Sequence, residues 1–354
     1  MVNFRLPQGV VCLSALALLA GATTAFPATS YTVTNLVSDV PGMAAMTDPN
    51  LINAWGLDRG PGFPWWVNSN GNGTARVYDG TGNSILAIGI EGPVRGTPSA
   101  PSGMAYNGTT NFEVTPGKPA TFLFATEDGT IAAWNMAALP NHAVIKINNN
   151  NGAIYKGLTL GAIQSTPILY VANFHAGVVE AYDPFFRPIT LPTGAFADPM
   201  IPAGFAPFNL QNVNGQIYVA FAKQDAGAKD DVPGPGMGYV SVFTPAGKLV
   251  HRLQYGGWMN APWGIALAPQ GFGDFSGMVL VGQFGSGAIV AFDATTGAIT
   301  GILRDSAGKA ILIPGLWGLN FADGGPSGPA NALFFTAGIN NEADGLFGSI
   351  QPNQ

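Results

Sequence analysis

Apolar residues along this chain come in runs of four to six, or alternate with polar ones, and the runs are stopped by Asn-Gly, Asp-Gly and Pro-Gly signals. Short runs bounded by turn residues predict β-strands, and the 3.6-residue period of long helices is scarce. The runs form a repeating phrase. Its first copy, "NAWGLDRGPGFPWWVNSNGNGTARVYDGTG" (53–82), has a "WGL" entry, a "WWVNS" strand ending in polar residues, and a "GTARVYDGTG" strand. The entry recurs as "PSGMAY", "YKGLTL", "APFNLQ", "APWGIAL" and "GLWGLNF". Aligned on Gly56, Gly103, Gly157, Asn209, Gly264 and Gly318, the steps are 47, 54, 52, 55 and 54 residues.

Six copies of three short strands, each with room for a fourth, predict an all-β, six-bladed β-propeller rather than a sandwich, which needs no six-fold repeat. The sixth copy stops at its third strand, "LFGSI", while "SYTVTNLVSD" (30–39) has no copy of its own. Pairing of that N-terminal strand outside Leu346 to Ile350 would close the ring and leave no open edge. Each entry glycine is expected where innermost strands crowd together. Trp55, Trp263 and Trp317 are expected to fill space between blades, and Trp65 and Trp66 to pack in the core.

The first residues read as processing rather than fold. Arg5 precedes the apolar run "VVCLSALALLA", too short to span a bilayer, and Thr23-x-Ala25 suits cleavage. A signal peptide over 1–25 and a single propeller domain over 30–351 are therefore expected, with a secreted or periplasmic product and no stable membrane insertion. The only cysteine, Cys12, lies in the signal, so the exported part carries no disulfide, thiol nucleophile or Cys-based metal site. Charged residues make up 10% of the chain, with 14 Lys and Arg against 20 Asp and Glu, which argues against a nucleic-acid surface.

The phrases "APQGFGDFSGMVLVGQFGSGAIVAFDATTGAITGIL", "GLWGLNF" and "LFFTAGINNEADGLFGSI" resemble a largely uncharacterised family of exported six-bladed propeller proteins related to NHL-repeat domains. The resemblance runs from "YTVTNLVSD" to "LFGSI". It implies the fold and export, and carries no catalytic motif.

In a four-stranded blade, the entry to the first strand and the turn after the second lie on one face near the axis. Polar residues at those points should ring one mouth of the central channel: Asn53, Asn68 and Asn70; Glu127 and Asp128; Asn173 and His175; Lys223 and Asp225; Asn260 and Gln283; Asn340, Asn341 and Glu342. Amide and carboxylate oxygens suit a hard cation such as Ca2+, with Glu127, Asn173 and Glu342 as ligands. Glu127, Asp128 or His175 would then serve as general base to a metal-activated water. For any one of these residues an ordinary turn role is the commoner alternative, Asp128-Gly129 being a plain hairpin signal.

The loop "KQDAGAKDDVPGPGMG" (223–238) is expected to hang over the same mouth as a semi-rigid flap. No nucleophile elbow, HExxH, P-loop or EF-hand spelling occurs. Asn72-Gly-Thr and Asn107-Gly-Thr match the glycosylation acceptor and also read as Asn-Gly turns. The leading expectation is a protein that binds a polar small molecule, a glycan or a protein segment at one face of the disc, with a divalent ion as the fitting cofactor. A metal-assisted hydrolase or lactonase is the alternative. A quinoprotein is weaker, because Lys223 is the only base expected in the ring.

Overall fold

The computed structural model describes residues 29–94 and 96–353; the expected signal peptide lies outside the described residues. The chain is a nearly all-β propeller. Its first unit pairs Ala54–Asp58, Trp65–Ser69, Thr74–Tyr78 and Ser84–Ile90 in that order, and its second pairs Pro101–Tyr106, Phe122–Thr126, Thr130–Trp134 and His142–Asn148. A short parallel contact, His142 and Ala143 with Gly89 and Ile90, joins these two into one sheet. The fourth unit (Phe205–Val213, Gln216–Lys223, Gly238–Phe243, Leu249–Arg252) and the fifth (Pro262–Leu267, Val279–Gln283, Ile289–Phe292, Ile299–Ile302) are also four-stranded.

The third unit departs from the pattern. It has only Tyr155–Ile163, Thr166–Asn173 and Val178–Tyr182. The residues that follow, "DPFFRP", carry two prolines that cannot donate to a ladder. They fold back to make a single bridge, Tyr182 with Pro188, so among the described residues no fourth strand covers the edge.

In the sixth unit, Leu316–Phe321, Leu333–Gly338 and Asp344–Pro352 are followed by Tyr31–Ser38, which runs antiparallel from Tyr31 opposite Pro352 to Ser38 opposite Leu346. The N-terminal strand thus supplies the outer strand of the last repeat, as its lack of a copy predicts. The first strand of each unit packs against that of the next, and the sixth returns to the first. This crowding explains the entry glycines: a Cβ on Gly103 would sit 2.7 Å from the Cα of Gly157, and one on Gly264 would sit 2.5 Å from the carbonyl of Trp317.

The tryptophans divide by position. Trp66 packs between Phe122 and Trp134 at centroid distances of 4.5 and 4.6 Å, and Trp65 packs on Phe334 at 4.7 Å. Trp55, Trp263 and Trp317, from the first, fifth and sixth units, fill space between units by packing on one another in a single cluster with Phe174 and Phe208. Their entry positions, at the innermost strands, bring them together. Trp317 is sandwiched between Trp55 and Phe284, each 3.9 Å away. This aromatic plug is the floor beneath the mouth.

Candidate functional site at the channel mouth

Above the plug, one chain of hydrogen bonds crosses five units. The amide of Asn53 donates to Glu342 Oε2 at 2.8 Å and to Asn70 Oδ1 at 3.4 Å; Asn70 donates to Glu127 Oε2 at 3.0 Å. Lys156 Nζ bonds Glu127 Oε1 and, at 3.0 Å, Asp230 Oδ1. The Lys156 side chain is 2% exposed, and its ammonium lies 5.1 Å over the Trp55 ring. Asn53 Oδ1 accepts from the Trp317 indole at 3.2 Å, tying the network to the floor.

Burial opposes the charge on Lys156, but Glu127 and Asp230 outweigh it and its pKa is raised. The opposite happens to two carboxyls nearby. Burial pushes Asp231 up to about 7, with Glu342 and Asp230 adding to the rise and Lys156 resisting it. Its Oδ2 is buried without a partner. Glu342 is raised by burial and by the charge of Glu127, against the hydrogen bond from Asn53. The turn that presents Glu342 is strained: Asn340, Asn341 and Glu342 have φ of 55°, 55° and 65°, and Asn53 has φ of 48°. Left-handed non-glycine residues gather where surrounding structure over-determines the backbone, often at functional sites.

The flap is anchored from three sides. Gln224 Nε2 donates to the Phe174 carbonyl at 2.5 Å, Asp230 holds Lys156, and Gly234 N donates to Asn260 Oδ1 at 2.6 Å. A cleft of about 500 Å³ beside it is lined by Pro233, Phe284, Ser286, Pro314 and Glu342, among others.

Of the residues predicted for the ring, Asn53, Asn70, Glu127 and Glu342 come together. Others do not, for specific reasons. Asn68 is fully buried and donates sideways to the carbonyls of Ser102 and Gly103, joining the first two units. Asp128 accepts from Ala100 N, tying its turn to the segment that leads into Pro101–Tyr106, and Asp225 accepts from Lys229 N within the flap. Asn260 and Gln283 bond loop backbone and each other's chain segments. Lys223 lies over Phe205, with its Nζ 3.4 Å from the Ala203 carbonyl. Asn340 is exposed and bonds Asp344. His175 is exposed and meets only the Ala228 carbonyl, at 3.3 Å, so it does not act with Glu127.

The predicted ion-binding trio is split. Asn173 donates to Glu180 Oε1 at 2.7 Å instead of joining Glu127 and Glu342, and an ammonium already bonds Glu127. Among the described residues no three His, Asp or Glu side chains converge as metal ligands. The mouth's base is Lys156, not Lys223. Its entry phrase "YKGLTL" reads as an inner strand, and the signal that could have exposed it is a lysine where the other copies have Trp, Ser or Phe.

The chain is 33% identical over 338 residues to the uncharacterized protein R648 of Acanthamoeba polyphaga mimivirus, covering 92% of this chain and 81% of that protein. It is 31% identical over 340 residues to the uncharacterized protein L690 of the same virus, covering 92% and 87%. The chain belongs to their family. No family model matches the chain. Among solved structures, a protein of unknown function from Bacteroides thetaiotaomicron superposes with a TM-score of 0.58 at 9% identity, covering 91% of this chain and 76% of that one. A streptogramin B lyase superposes with a TM-score of 0.54 at 9% identity, covering 92% and 98%. Virginiamycin B lyase from Staphylococcus aureus gives 0.51 at 10%, covering 91% and 99%. At such identities the likeness establishes the propeller fold alone. Among the described residues no helix is long and apolar enough to cross a membrane.

Proposed function

We propose that this chain is an exported six-bladed propeller that binds a polar small molecule or glycan in the mouth cleft beside Glu342. The observation that carries the reading is the bond chain Glu342–Asn53–Asn70–Glu127–Lys156–Asp230, built by five separate units around one buried ammonium. A network gathered from so many elements is preorganised, and its carboxylate and amide oxygens suit hydroxyl donors. The aromatic plug is buried and acts as floor rather than stacking platform.

Titration calorimetry with mono- and oligosaccharides and polyols tests this. A binder should lose about tenfold in affinity in Glu342→Gln, one charge-assisted contact's worth, with the fold intact. Binding indifferent to Glu342→Gln, or no binder in the panel, removes the reading.

A hydrolase or lyase is the second reading, favoured by one observation: Asp231, with its pKa near 7 and an unpartnered oxygen, is poised to exchange a proton at neutral pH. In that case Asp231, rather than Asp128 or His175, is the acid–base group. Turnover of a lactone or ester panel by the wild type, lost in Asp231→Asn, supports it.

A further inference from the structure

The missing fourth strand of the third unit leaves a second site. Between Val178–Tyr182 and the outer strand of the second unit, His142–Asn148, lies an open cavity of about 600 Å³. Glu180 is one of its lining residues. Oε1 accepts from Asn173, and Oε2 accepts from the hydroxyls of Tyr155 and Tyr182, both at 2.6 Å. Asn149 donates to both hydroxyls, at 2.7 and 3.0 Å, so each tyrosine proton is directed at the carboxylate. A carboxylate offers about four acceptor positions; three are filled and the group is locked.

Lys146 lines the same cavity. Its ammonium spends one proton on the Val114 carbonyl at 3.1 Å, lies 5.5 Å over the Phe186 ring, and keeps two donors free. Ile147, Val179, Ile189 and Leu191 line the cavity as well and make its wall largely apolar.

We infer that this cleft binds a short apolar peptide by its two ends, the terminal ammonium at Glu180 and the terminal carboxylate at Lys146. A simple cation would meet Lys146 and a simple anion Glu180, while a neutral apolar molecule would strip water from both charges without replacing it. A zwitterion with an apolar body satisfies both charges and the walls. The site is distinct from the mouth and independent of its reading.

The test is titration calorimetry of the mature chain with a panel of apolar dipeptides, then with N-acetylated and C-amidated forms of the best one. Saturable binding is expected, weakened about tenfold by either blocked end. In Glu180→Gln, acetylation should no longer matter; in Lys146→Met, amidation should no longer matter. Ile189→Trp, which fills the cleft and leaves both charges in place, should abolish binding at unchanged melting temperature, and Glu342→Gln should leave it intact. No saturation by any dipeptide up to about 10 mM, weaker than any specific site of this size, overturns the inference. So does binding that loses equally to blocked ends in the variants and the wild type, or that survives Ile189→Trp.

Discussion

The mouth and the lateral cleft both hold carboxylates against buried aromatic residues, yet they solve the problem in opposite ways. At the mouth, Glu127, Asp230, Asp231 and Glu342 gather around one ammonium, and burial, reinforced by the surplus of negative charge, raises Glu342 and pushes Asp231 up to about 7. In the cleft, one carboxylate is held by neutral donors, and the shift falls on the tyrosines: burial, reinforced by the bond to Glu180, pushes both hydroxyls far up, so they stay protonated and keep donating. Charge–charge compensation makes a region that responds to pH. Compensation by neutral hydroxyls makes one whose tyrosines stay protonated through neutral pH.

The sharpest way to break this contrast is to remove the ammonium. Lys156→Met keeps most of the apolar stem against Trp55 but leaves Glu127 and Asp230 facing each other. Deleting one partner of a buried ion pair costs about 3–5 kcal/mol, so denaturant unfolding at pH 7 should show a loss of that order. A variant as stable as the wild type would mean that Lys156 does not hold the mouth together.

Asp231→Asn probes the same region from the other side. The Asp231 pKa rises on folding from 3.8 to about 7. Between those values the folded chain binds the extra proton, so this group's contribution declines as pH rises through 4 to 7 and stays unfavourable above. Asparagine removes the burden. At pH 8 the variant should be more stable than the wild type by about 2 kcal/mol, below the ceiling of roughly 1.4 kcal/mol per pKa unit, and the difference should vanish below pH 4. A gain that is the same at both pH values would point to packing instead.

How much of this is legible in the sequence follows from where each signal sits. The six-fold spelling and the unmatched "SYTVTNLVSD" foretold the propeller and its closure, because strand period and turn residues are local properties. Asn53, Asn70, Glu127 and Glu342 were legible as mouth residues because the repeat fixes strand ends. Their neighbours at equivalent positions were not separable, since a one-residue offset in a strand end decides whether a side chain such as Asn68 faces the next unit or the other way. Lys156 was hidden inside an apolar strand, and the Glu180 cluster joins residues that no shared position in the repeat brings together. Asn173, assigned to the mouth by its place in the repeat, belongs to that cluster.

On the cleft side smaller and flatter effects are expected. Tyr182→Phe deletes one of the three bonds to Glu180 while Tyr155 and Asn173 still satisfy the carboxylate. The loss should be about 1 kcal/mol, equal at pH 5 and pH 8 in denaturant titrations. A loss that grows on raising the pH would show that the carboxylate depends on a titrating neighbour after all, and would erase the difference between the two regions.

The smallest effect is the most discriminating about ions. In the wild type the Lys156 ammonium lies between Glu127 and Asp230, where a calcium ion would need to sit. A cation must displace it and leave it buried without an anion, so millimolar Ca2+ should not move the wild-type melting temperature, and neither should chelator. Lys156→Met vacates that position while keeping both carboxylates. There Ca2+ at five times its dissociation constant should restore about 1 kcal/mol by mass action, reversed by chelator and absent when Glu127→Gln is added. If the wild type itself gains from Ca2+, the ammonium is not the mouth's resident cation. The oxygen ring expected from the sequence, with Glu127 and Glu342, would then have to be rebuilt around an ion.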